Sequence, residues 1–75
     1  MNQINQLYLE LTLVEAAGTV RKLLEEIYEI EADTQMPDIT KLSRIQKIRA
    51  ELTKVNMEID NVKKEITLLN SYRVN

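Results

Sequence analysis

The chain has 75 residues, 29% of them charged, a net charge of −2, and neither Cys nor His. Disulfides, thiolate or imidazole metal sites, and Ser-His or Cys-His nucleophile systems are therefore excluded. So short a chain makes one small domain whose core leaves folding free energy near zero, and with no covalent or metal staple the expected support is self-association.

No Lys or Arg precedes Arg21, and Gln6, Glu10, Thr12 and Glu15 interrupt the first apolar residues, which argues against a signal peptide. No apolar run approaches a membrane span, so no membrane partner is expected, and the absence of Cys fits a reducing cytoplasm.

The first element poses a choice. Residues 7 to 14, LYLELTLV, alternate apolar and polar as a half-buried strand would. The same residues also continue a helical stripe, Leu9, Leu13, Ala16, Val20, Leu23, Ile27 and Ile30. A strand here would need a ladder partner from another molecule, as ribbon-helix-helix repressors provide, yet it carries no basic residue to meet DNA and the segments that follow are too long. Leu and Glu also favour helix, so helix 1 is expected over about residues 3 to 32. A second stripe, Ile4, Leu7, Leu11, Val14, Ala17, Leu24 and Tyr28, is expected within about 100° of the first, widening the apolar face beyond what one partner helix can cover. Ile4, Leu7, Leu11, Val14, Leu24 and Tyr28 are accordingly the candidate face for self-association or a partner protein. Gly18, alone within the pattern, suggests close packing or a slight kink.

The turn formers cluster at residues 33 to 38, DTQMPD, where Pro37 holds Met36 extended and Asp38 is the expected cap of the next helix. Helix 2, about residues 39 to 72, carries an unbroken heptad with Ile45, Leu52, Ile59 and Ile66 at position a and Ile48, Val55, Val62 and Leu69 at d. Together these elements predict an all-α antiparallel two-helix hairpin with a coiled-coil-like seam, assembling as a homodimer or larger bundle.

Charge supports the pairing. Residues 1–38 carry eight acids and two bases, net −6, and residues 39–75 eight bases and four acids, net +4. Folding back sets Glu25, Glu26, Glu29 and Glu31 near Lys41, Arg44, Lys47 and Arg49, although acids at the C-terminal end of helix 1 and bases at the start of helix 2 oppose both helix dipoles. Cross-helix attraction is the expected offset.

No catalytic constellation, cofactor or metal is indicated. The Glu25, Glu26, Glu29 cluster lacks the His that bundle di-metal sites use and reads as a solvated acidic face. The expected function is a non-enzymatic protein-binding module, an inhibitor, adaptor or assembly factor such as a phage accessory protein carries. The alternative is an oligomeric binder of a small anionic ligand such as a nucleotide, or of RNA through basic helix 2 as in Rop-type bundles, with Arg21, Lys22, Lys47 and Lys54 as the anion or phosphate contacts. Met57, Leu68 and Tyr72, off the seam of helix 2, make a candidate second contact face.

Overall fold

The computed structural model describes the backbone of residues 2–73 and the side-chain environments of residues 4–71. It is an antiparallel helical hairpin, α1 (Asn2–Ala32) followed by α2 (Asp38–Arg73). Residues 7–14 are helical, so the 3.6-residue pattern overrides the alternation there. A 31-residue and a 36-residue helix at about 1.5 Å per residue give a rod 59 × 14 × 14 Å.

The seam is the one the spacing predicts. From α1 it takes Leu9, Ala16, Leu23 and Ile30 at position d and Leu13, Val20 and Ile27 at a, all turned away from solvent, against the a and d residues of α2. Among the described seam residues only Leu23 and Ile48 are buried, at 6% and 8% exposure. The rest are half-buried, because a two-helix layer covers a seam residue from across the groove and leaves water on both flanks. The Thr hydroxyls at 12, 19, 53 and 67 and Ser71 each donate to the carbonyl four residues back, which lets short polar side chains sit in long helices.

The turn corrects the expected cap. The carbonyl of Pro37 accepts the first bond of α2, from the Lys41 amide at 3.0 Å, so Asp38 lies inside the first turn, where its charge suits the positive helix end. The side chain that organises the turn is Asp33, whose Oδ1 accepts from the Gln35 and Met36 amides at 2.8 and 3.2 Å while its own amide donates to Ile30 O at 3.2 Å. This Asx turn reverses the chain with no positive-φ residue among those described, which is why no glycine is needed there.

Gly18 also departs from expectation. A Cβ built on it meets nothing within 4 Å, so neither close packing nor a special backbone conformation requires glycine.

Candidate binding surfaces

The b and e residues of the second stripe of α1 lie about 100° around the helix from the seam, as the spacing predicts, but α2 does not cover them. Leu11 and Leu13 stand two residues, about 200°, apart around the helix, as do Leu7 and Leu9. Inward Leu9 and Leu13 thus send Leu7 and Leu11 to the far side, and Ile4, Leu7, Leu11, Val14, Leu24 and Tyr28 are 53% to 75% exposed. In the heptad frame Leu7, Val14 and Tyr28 occupy b, Ala17 and Leu24 occupy e, and Ile4 and Leu11 occupy f. Helix 1 therefore has two apolar faces, one spent on the hairpin and one open. The exposed Ile39 and Leu42, next to the turn at b and e of α2, extend this flank. The sequence reading missed them because they precede its seam, although continuing the heptad backward by one turn would have placed them.

The opposite flank carries the g positions. At the turn end Glu26, Glu29 and Asp33 line one open groove of about 470 Å³ with Arg44 and Lys47. The opposed charges of the two halves thus meet in space, yet among the described residues no acid of α1 closes to salt-bridge distance on a base of α2. The ion pair that forms is Arg21 Nε to Glu25 Oε1, 3.5 Å, within α1. Exposed side chains gain little from a fixed geometry and lose rotamer freedom in it. The dipole conflict is met differently: α1 has no base in its last turn, and Lys41 Nζ crosses the turn to donate to the carbonyl of Glu31 at 3.3 Å. A cation from α2 thereby stands at the negative end of α1.

The candidate anion contacts are not all brought to one flank. Arg21 lies on the open apolar flank beside Glu25, whereas Lys22, Lys47 and Lys54 occupy c positions toward the other flank. Lys47 shares its groove with three carboxylates against two cations, a local balance that repels an anion. Among the described residues no group of acids is arranged to hold a metal ion.

At the open end of the hairpin Asn5, Tyr8, Leu9, Glu65, Leu68 and Leu69 line a second groove. Leu68 borders it, as does the exposed Tyr8, which heptad register places on the same flank. Met57, at f, is exposed eleven residues away, about 16 Å along α2, and does not join Leu68 in one patch. The side chain of Tyr72 lies outside the described residues. No described helix is long and apolar enough to cross a membrane.

No protein-family model, curated protein or solved structure matches this chain.

Proposed function

We propose that the protein is a non-enzymatic protein-binding module, working as an inhibitor, adaptor or assembly factor in the form of a homo-oligomeric helical bundle. The observation that carries this reading is the open face of α1. Six large apolar side chains are more than half exposed along the side of α1 that the hairpin leaves uncovered. Scattered exposed apolar residues are ordinary, but apolar residues recurring at helical spacing along one side of a helix mark a contact surface. A chain of 8.8 kDa folded as a globular monomer exposes about 4,800 Å². This hairpin exposes 6292 Å².

The test is photo-crosslinking from Leu11 and Leu24, with Glu51, exposed at g on the other flank of α2, as the control. Capture of a protein, either a second copy or a foreign chain, from the two α1 positions and not from Glu51 is expected. Equal labelling from all three positions, or none, refutes the reading.

The anion-binding alternative has less support, since Arg21 lies on the flank away from Lys22, Lys47 and Lys54, and Lys47 shares its groove with three carboxylates.

A further inference from the structure

We propose that the open face of α1 is occupied by α1 of a second copy, running antiparallel in one defined register. The inference rests on the protein-binding reading and names the partner. Positions b and e of α1 form a second three-four repeat one position along from the hairpin seam: Leu7, Glu10, Val14, Ala17, Arg21, Leu24, Tyr28 and Glu31. Every one of these residues is exposed in the hairpin.

When two such seams pair antiparallel, each b meets an e. One register sets Leu7 against the partner's Leu24, Val14 against the partner's Ala17 and Arg21 against the partner's Glu10. Two-fold symmetry repeats each layer, so an Arg–Glu layer lies between the two central Val–Ala layers and the outer Leu–Leu layer on each side, with Tyr28 closing each end near the partner's Ile4. Sliding by one heptad in one direction places Leu7 on the partner's Glu31 and Tyr28 on the partner's Glu10. Sliding the other way places Val14 on the partner's Glu10. A parallel arrangement stacks Arg21 on Arg21 and Glu10 on Glu10. Among antiparallel registers a whole heptad apart, the first alone matches charge with charge and apolar with apolar.

Glu10 and Arg21 thus act as polar residues in an apolar seam do, selecting register at some cost in affinity. Size agrees as well. The hairpin exposes roughly 1,500 Å² more than a globular monomer of its mass, and a standard stable interface takes about 800 Å² from each partner. The Tyr8–Leu68 groove, on the other flank, stays open for a foreign chain.

The chain contains no Cys, so engineered pairs report the register directly. Leu7 and Leu24 of one chain lie about 25 Å apart along the helix and cannot bridge each other. The doubly substituted Leu7→Cys, Leu24→Cys chain should therefore oxidise to a covalent dimer in high yield. Leu7→Cys with Glu31→Cys should not. In sedimentation equilibrium the wild-type chain should be dimeric, Arg21→Glu should weaken the dimer about tenfold, and adding Glu10→Arg should restore most of the loss. Circular dichroism confirms that each variant is helical, and the charge reversals alter only exposed side chains. A monomeric wild type at about 100 μM overturns the proposal, as does equal crosslinking by the Leu7, Glu31 pair or failure of the second charge reversal to rescue the first. If the chain is monomeric while Leu11 and Leu24 still crosslink to a foreign protein, self-pairing fails and the binding reading survives. If nothing is captured, both fail.

Discussion

Leu23 and Leu24 are chemically identical neighbours that the fold treats oppositely, at 6% and 54% exposure. Replacing Leu23 with Ala removes three carbons from an almost wholly buried site. Transfer alone is worth about 2.4 kcal/mol, and the residual cavity raises the loss to about 3 kcal/mol or more. Leu24 keeps about half its surface in water, so the same truncation loses about 1 kcal/mol, offset by a few tenths from the better helix propensity of Ala. A hairpin this small has only a few kcal/mol to lose, so Leu23→Ala should be largely unfolded at room temperature while Leu24→Ala stays helical. Far-UV circular dichroism during thermal and urea denaturation, repeated over about a hundredfold range of protein concentration, measures both. The Leu23 loss should appear at every concentration. The Leu24 loss should grow where association contributes to stability. A concentration-independent loss at Leu24 as large as that at Leu23 would refute the assignment of the two faces.

Gly18→Ala should stabilise by about 0.5–1 kcal/mol and raise the midpoint by several degrees, because the added methyl enters open space and helix propensity rises; a lowered midpoint contradicts this. Asp33→Ala, which strips two amides at the turn of their acceptor, should cost about 1 kcal/mol in denaturation, while Asp33→Asn keeps most of the stability. Changing Lys47 and Lys54 to Gln together should leave any protein complex intact, and the wild-type chain should show no salt-sensitive association with mixed RNA or duplex DNA at about 50 mM salt. Micromolar binding that weakens by 200 mM, with each Gln flattening the salt slope by about one unit, would instead favour the nucleic-acid reading.

The hairpin itself was legible because its information is periodic and local. The seam residues of both helices follow a three-four repeat that a strand cannot use, and Pro37 with its polar neighbours marks the single break, so element type, number and near-exact bounds follow from spacing. The charge halves likewise indicated which ends meet, because net charge acts over distances longer than a side chain.

Contact-level detail was not legible. Whether a carboxylate meets an ammonium, a carbonyl or water depends on ångström positions and on rotamer entropy, so Lys41 bonds the Glu31 carbonyl rather than a carboxylate, and Asp33 does the turn work expected of Asp38. The orientation of the second stripe lay within reach of arithmetic at 100° per residue. The tertiary fold gave it consequence by fixing which apolar side faced the hairpin. Sequence alone determined that α1 is apolar on two sides and α2 on one. The spacing already set Leu9, Leu13 and Leu23 in the seam; only the packing decided that Leu7, Leu11 and Leu24 stay in water rather than widening it. The physical reason is that α2 offers a single narrow seam, and one seam can cover only one side of its partner.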